Sequence, residues 1–399
     1  MDLESSEDLS DPALRTRDLV DVWHSPAVIQ PNNFVYKSLS QWAFNTAVGC
    51  SHACRFCYVP SAATIKQGPT LSRYGVRDPD EEWGDYVLLR PWNEKKFLAS
   101  LTTADQLPAS KIKRDSNRAV IYCSTTDPYQ VIHHPVPARQ RELAKAARDL
   151  VVRSLELIRD RSTLNVRILT RSPLARLDFE LFQSFGNRLV FGMSLPTTRN
   201  DLAKTYEPRA PSPTQRLATL KAAQAAGLHV YVAIAPTYPE CDENDLRDTL
   251  SAVAELDPIT VFHEPINIRA ENVARIQRTA ANLGVSLNTD VFSTRESWQE
   301  YALHSLKTVE RLAEEIGIKD RLHLWPDKSL GAQWRVAQMS DPIQYRNWLA
   351  SWWSRVSEWP SNRRRLLRVP ASYSRIAILR ATWLSRIHMR LATHYALRL

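Results

Sequence analysis

Asn45-Thr-Ala-Val-Gly-Cys50-Ser-His-Ala-Cys54-Arg-Phe-Cys57-Tyr-Val-Pro60 is the stretch on which the reading of this chain turns. Three thiols at the spacing Cys-x3-Cys-x2-Cys can wrap one small inorganic core. A cubane normally takes four thiolates, and the other two cysteines, Cys123 and Cys241, are remote in sequence. One iron would then stay open, and an open coordination position separates a reactive centre from a closed structural one. The thiols follow an apolar run and Gly49, which places them at the C-terminal end of a strand, where parallel α/β folds put their chemistry. The competing reading is zinc, with His52 as fourth ligand. Zinc sites usually pair two Cys or Cys/His knuckles across a longer spacer, and no second knuckle is visible.

Across the whole chain, the five cysteines are odd in number and three fall within eight residues. That is a poor disulfide framework and reads as a thiolate cluster in a reducing cytosol. No apolar run is long enough to span a membrane. The acidic, polar segment Met1 to Asp21 lacks the apolar core of a secretory signal, and Met1 to Asp11 reads as a disordered tail. The length of 399 residues, 44% of them hydrophobic, suggests two or three domains or one large α/β barrel with appendages.

Short apolar runs alternate with amphipathic ones. The strand candidates are Phe44–Gly49, Ala119–Ser124, Leu164–Leu169, Leu189–Ser194, His229–Ala235 and Thr260–His263, each suited to a sheet covered on both faces. Helical periodicity runs through Pro137–Asp160, Leu174–Phe185, Pro213–Ala226, Glu243–Glu255 and Ala270–Leu283, with Gly227 suited to the left-handed exit of the third. About six repeats argue for parallel βα units. An open sheet and a barrel fit this pattern equally. No Gly-x-Gly-x-x-Gly follows a strand and no Walker motif occurs, so a dinucleotide site is not expected. The polar segment 61–118, with Tyr74, Trp83, Tyr86 and Trp92, reads as an ordered insertion after the first strand, near the mouth of the site. The expected division is an N-terminal segment 1–40, a central α/β unit 41–330, and a C-terminal extension 331–399 of helix with loops at Pro360 and Pro370.

Cys50-x3-Cys54-x-Phe56-Cys57 resembles the signature of the radical S-adenosylmethionine superfamily. Further motifs narrow the resemblance to the spore photoproduct lyase-like branch, also called DNA repair photolyase-like. They are Asn45, Gly49-Cys50-Ser-His-Ala-Cys54, Cys57-Tyr58, Ser124-Thr-Thr-Asp127-Pro-Tyr-Gln130, Leu169-Thr-Arg-Ser172, Met193-Ser194, and Glu207-Pro-Arg-Ala-Pro211 with Arg216 and Leu217. The resemblance covers roughly Asn45 to Arg269. It implies a partial barrel of six (β/α) units and a 4Fe–4S cluster on Cys50, Cys54 and Cys57. It further implies S-adenosylmethionine on the open iron, reductive cleavage to a 5′-deoxyadenosyl radical, and hydrogen abstraction from a substrate. An electron donor such as flavodoxin or ferredoxin is implied as a partner. The substrate class it suggests is a nucleic-acid base; a peptide or a small molecule is the alternative.

The same resemblance implies roles around the cofactor. Phe56, the aromatic of the signature, would contact the cofactor. Ser124, Thr126 and Asp127 would meet the methionine end, Asp127 accepting from the ammonium, although Asp before Pro is also a common turn or cap. Arg171 would fork onto the carboxylate. Ser194 and Glu207 would contact ribose, unless Glu207 pairs with Arg209 or Arg216. Tyr58 corresponds to a tyrosine of radical transfer, or packs beside the cluster. Cys123 is the candidate hydrogen-atom donor. Counted back from Asp127 it falls one residue early, and a one-residue shift turns a strand side chain to the other face. A lone cysteine is also most often buried and unreactive.

The net charge of +9 is unevenly placed. From Gly331 onward stand twelve Arg and two acids, for +10, leaving the rest of the chain near −1. Arg363, Arg364, Arg365, Arg368, Arg375, Arg380, Arg386 and Arg390 interleave with Trp and Tyr, the mixture that pairs with phosphate and stacks on bases. A polynucleotide partner, an acidic membrane surface and a plain solvated helix face all fit.

Overall fold

All six apolar runs form strands, since nearly every residue in them is buried. The computed structural model describes residues 19–32, 39–357 and 359–360. Its strands are β1 (Val20–Val22), β2 (Ile29–Pro31), β3 (Trp42–Phe44), β4 (Ala47–Gly49), β5 (Val87–Leu89), β6 (Ala119–Tyr122), β7 (Asn165–Thr170), β8 (Leu189–Ser194), β9 (Val230–Thr237), β10 (Thr260–Pro265) and β11 (Leu322–Leu324). The large sheet has the order β2-β3-β6-β7-β8-β9-β10-β11. Its pairs from β3 to β11 are parallel, and only β2 runs antiparallel, on β3. The molecule is thus α/β with a parallel sheet.

Two features depart from the expected pattern. The first strand is not continuous over Phe44–Gly49. β3 enters the large sheet beside β6, while β4 leaves it and pairs with β5 in a three-stranded sheet of order β1-β5-β4. The insertion therefore supplies β5, the central strand of that second sheet, besides the helix Glu94–Asp105. The parallel run also has one strand more than the six expected. β11 follows the helix Arg295–Ile316, which Thr294 caps at its N-terminus and Gly317, in the left-handed region, at its C-terminus.

One face of the sheet is covered by helices. Leu143, Leu150, Val151, Leu155 and Ile158 of Pro137–Arg161 are buried, and the last four join Val120, Tyr122, Val166 and Ile168 in the principal core. Each such side chain contributes about 1.5–3 kcal/mol when fully removed from water. The helix Pro213–Ala225 starts with a capping box between Ser212 and Gln215, and Gly227 follows its end at φ +78, as its placement in the sequence predicted. On the opposite face, Ile121, Leu169, Ser194, Ala233 and Phe262 line a cavity with the cysteine loop.

The extension does not separate at Gly331. The helices Gln333–Ala337 and Pro342–Trp353 contribute Val336, Tyr345, Leu349 and Trp352 to the principal core, and Trp359 packs with Leu39, Ala119, Val190, Tyr231 and Phe262. The unit that contains the described residues ends at Pro360. The arginines from Arg363 to Arg390, and the N-terminal residues 1–18, lie outside the described residues. Among the described residues no helix is long and apolar enough to cross a membrane.

Candidate functional site

Backbone geometry sets up the cysteine loop. Gly49, the last residue of β4, has φ +92, and a Cβ there would lie 2.1 Å from the Tyr86 carbonyl oxygen. Only glycine lets the chain turn here against the residue that precedes β5. The turn delivers Cys50 and Cys54 to buried positions and Cys57 to a half-buried one. Distant residues hold the loop's carbonyls. Asn272 Nδ2 donates to Phe56 O at 3.2 Å, and Arg275 Nη1 donates to Arg55 O at 3.0 Å and Cys57 O at 2.6 Å. Asp80 of the insertion pairs with Arg275 and Arg278. The insertion thus stands at the site, as expected, and Trp83 lines the cavity.

The cysteine loop and the loop after β6, distant in sequence, are laced together. Asn45 Oδ1 accepts from Ser124 N at 2.9 Å and Thr125 N at 3.0 Å, and Asn45 Nδ2 donates to Ser124 Oγ at 3.2 Å. Thr126 Oγ1 donates to Gly49 O at 2.6 Å, and Ser51 N donates to Gln130 Oε1 at 2.7 Å. His52 Nδ1 lies 3.5 Å from Asp127 Oδ2. Asp127 in turn accepts from Tyr129 N at 2.8 Å, Thr170 Oγ1 at 2.7 Å and Arg171 N at 2.8 Å. It lines the cavity, but its carboxylate joins three segments of chain. Thr126 likewise spends its proton on the cysteine loop.

A buried ion cluster stands beside these loops. Glu207 accepts from Arg171 Nε at 2.7 Å and is paired with Arg216, which also donates to Ser194 O at 3.1 Å. Burial alone would raise the Glu207 carboxyl, yet Arg171 and Arg216 bring it below its usual value. Burial likewise opposes the Arg171 charge, but Glu207 and Cys54 override it and hold the guanidinium ionised. Of the two pairings open to Glu207 in the sequence, the structure has Arg216. Arg209 bonds Gly84 O and Asp85 instead. Arg171 keeps its guanidinium carbon 5.7 Å from the Phe56 ring centre and lines the cavity.

The cavity, of about 270 Å³, gathers Cys50, Cys54, Cys57, Phe56, Tyr58, Cys123, Ser124, Thr126, Asp127, Arg171 and Ser194. Of the residues given a role at the cluster or the cofactor in the sequence analysis, Glu207 alone stands behind its wall rather than on it. Cys123 lines the cavity with Ile121, while Val120 and Tyr122 pack into the core behind. Its Sγ is 3.6 Å from Thr46 Oγ1, and burial pushes the thiol up to about 12. Arg269 stacks over the Tyr58 ring at 5.7 Å.

The sequence reading did not single out Arg167, Asn272 or Arg275. An arginine inside the apolar run of β7 was a usable signal for the first. The other two act on the cysteine loop across more than two hundred residues and carried none.

Three cysteines line one cavity, a donor set that suits an iron–sulfur core. Among the described residues no three His, Cys, Asp or Glu side chains converge closely enough to hold one metal ion, and His52 is turned to Asp127. A cubane instead takes its thiolates at separate corners. Burial raises all three thiols, Cys54 to about 12. A cationic iron–sulfur core would favour the thiolates there.

Comparison with known proteins bears on the fold. No family model matches the chain. The uncharacterized protein ORF301 of Acidianus two-tailed virus is 30% identical over 265 residues, 63% of this chain and 78% of its own. An uncharacterized protein of Methanocaldococcus jannaschii is 24% identical over 283 residues, 70% of this chain and 89% of its own. Among solved structures, spore photoproduct lyase complexed with dinucleoside spore photoproduct matches with a TM-score of 0.53 at 16% identity, over 76% of this chain and 80% of its own. A cysteine-to-serine mutant of spore photoproduct lyase matches with a TM-score of 0.54 at 15% identity over the same shares. The chain belongs to the family of the viral ORF301 protein, and its fold is that of spore photoproduct lyase.

Proposed function

We propose that the chain is a radical S-adenosylmethionine enzyme, with the large sheet as its partial barrel and the cavity as its active site. The observation that carries this reading is that Cys50, Cys54 and Cys57 face one cavity at the C-terminal ends of parallel strands. Those three residues would hold a 4Fe–4S cluster, and S-adenosylmethionine would bind at its open iron. Bound there, the pair would take one electron from an external donor and supply a 5′-deoxyadenosyl radical able to take hydrogen from a substrate, with methionine released.

The protein's share is orientation and exclusion of water. The lacing of Asn45, Gly49, Ser51 and His52 to residues 124–130 fixes the cysteine loop against the strand ends. Arg171, held charged by Glu207, would meet the cofactor carboxylate, and Ser124 and Ser194 would offer hydroxyls from the same cavity lining. Phe56 packs under Arg171. Cys123 and Tyr58, both lining the cavity, would serve as hydrogen donor and radical relay. A flavodoxin- or ferredoxin-like protein would deliver the electron. A nucleic-acid base is the favoured substrate class, supported by the dinucleoside that the neighbour binds and by the arginine-rich C-terminal run as a polynucleotide contact.

Anaerobic reconstitution with iron and sulfide, followed by reduction in the presence of S-adenosylmethionine, tests the reading. It predicts 5′-deoxyadenosine as a product, lost in Cys54→Ala. Stoichiometric zinc with no cleavage of S-adenosylmethionine would defeat it.

A further inference from the structure

Below the thiols, at the other end of the cavity, lies a charged group that the chemistry above does not use. Arg167, on β7, is 1% exposed and lines the cavity. Its register partner on β6 is Ile121, two residues before Cys123. Strand geometry puts Arg167 about 7 Å below Cys123 along the sheet and about 13 Å below Arg171. Aromatic rings surround its guanidinium carbon, with centres at 4.8 Å for Tyr231, 5.2 Å for Trp359 and 5.8 Å for Phe262. The Tyr231 ring can lie here because its β8 partner is Gly192, where a Cβ would come within 2.4 Å of the ring.

The hydrogen-bond inventory of this group is incomplete. Arg167 Nη2 donates to Asn117 Oδ1 at 3.1 Å. Nε and Nη1 are buried without a partner. The Tyr231 hydroxyl is buried within reach of the guanidinium and acts on it as a hydrogen-bonding neighbour, but short of full geometry, so the fork is only partly answered. No described carboxylate stands within 4 Å of the guanidinium; Asp115 acts on it only from further away. Rings compensate a cation in part, but they offer no acceptors to its N–H groups. A buried donor left unmade is costly, and Arg presents its donors in a fork that fits an oxyanion in two contacts.

We infer that the floor of the cavity is a substrate-anchoring site for an oxyanion, with Arg167 Nε and Nη1 and the Tyr231 hydroxyl as its donors, and that the substrate is a planar molecule carrying a carboxylate or a terminal phosphate. The aromatic walls accept the planar body. The depth of about 7 Å matches one ring between the anion at the floor and the level of Cys123. This deepens the proposed function by naming the chemistry of the group that enters first; a nucleobase fits if it bears an acidic substituent.

Calorimetric titration of the reconstituted full chain, without reductant, tests the inference. The probes are benzoate against benzamide, 5-carboxyuracil against thymine, and phenyl phosphate. At least one acid is expected to bind about 30-fold more tightly than its neutral counterpart, as for a buried charge-assisted contact. The carboxylate and phosphate arms identify which oxyanion the floor takes. Arg167→Met is expected to erase the preference for the acid, and Tyr231→Phe to reduce it several-fold. Cluster absorbance reports whether Arg167→Met has folded; if it has not, the acid–neutral comparison on the unmodified protein and the Tyr231→Phe variant decide. Equal binding of acid and neutral partners, thymine binding as well as 5-carboxyuracil, or a preference that survives Arg167→Met would overturn the inference. Because no reductant is present, this outcome is separate from 5′-deoxyadenosine formation, on which the proposed function stands.

Discussion

Glu207 shows how much a single buried residue holds in place. Its two oxygens answer Arg171 and Arg216, and Arg216 reaches on to the carbonyl of Ser194 at the end of β8. Replacing Glu207 with Gln leaves two guanidinium groups in a buried site with no carboxylate between them. A loss of about 3–5 kcal/mol in unfolding free energy is expected by urea denaturation. A loss below about 1 kcal/mol would mean that water or Asp127 replaces it. Gly49 is a second test at this scale. Gly49→Ala sets a Cβ against the Tyr86 carbonyl at a left-handed φ, so it should cost more than about 1 kcal/mol and sharply lower the iron retained per chain after desalting. Retention equal to the unaltered protein would show that the loop does not depend on this turn.

At the scale of elements, β10 carries a pH-sensitive group away from the cavity chemistry. His263 is fully buried, with Nδ1 3.2 Å from Ile234 O and Nε2 3.3 Å from Ser305 Oγ, and burial lowers its pKa to about 4. Its folded value lies below the unfolded one of 6.5. The unfolded chain therefore takes up the proton first, and stability present above pH 6.5 is lost as pH falls toward 4. The loss amounts to roughly 3 kcal/mol across that window. Denaturation midpoints measured from pH 7 to pH 4 should fall less steeply in His263→Gln; identical slopes would remove His263 as the cause.

The elements also show what could be read in advance. Strands β6 to β10 were legible because burial on both faces leaves an unbroken apolar run. β11 was not: Leu-His-Leu is too short to signal, and His323 interrupts it. The split of the first strand was hidden because Asn45 and Thr46 look like residues within a run, while what bends the chain there is Asn45 bonding to residues 124 and 125. The cysteine loop was fully legible, since its spacing is local. The side of β6 on which Cys123 falls was not, because counting back from Asp127 runs through the loop after β6, whereas Cys123 keeps the strand's own alternation with Ile121.

At the scale of the molecule, the described fold runs to Pro360. A chain ending at Leu330 would strip Tyr345, Leu349, Trp352 and Trp359 from the cores they fill, and it is expected to aggregate. A chain ending at Pro360 keeps them and removes the arginines from Arg363 onward. It should retain its thermal midpoint within a few degrees while losing salt-sensitive affinity for DNA or RNA, since phosphate contacts weaken steeply with salt. Unchanged nucleic-acid affinity in that chain would withdraw the polynucleotide role.

The central claim is that three thiolates hold a cluster whose fourth iron is open to S-adenosylmethionine. Electron paramagnetic resonance of the reconstituted, dithionite-reduced protein measures this directly, with spectra recorded before and after addition of S-adenosylmethionine. The account predicts a reduced 4Fe–4S signal that changes on addition, is absent in each of Cys50→Ala, Cys54→Ala and Cys57→Ala, and persists in Cys241→Ala. A signal indifferent to S-adenosylmethionine, or one lost in Cys241→Ala, would contradict it.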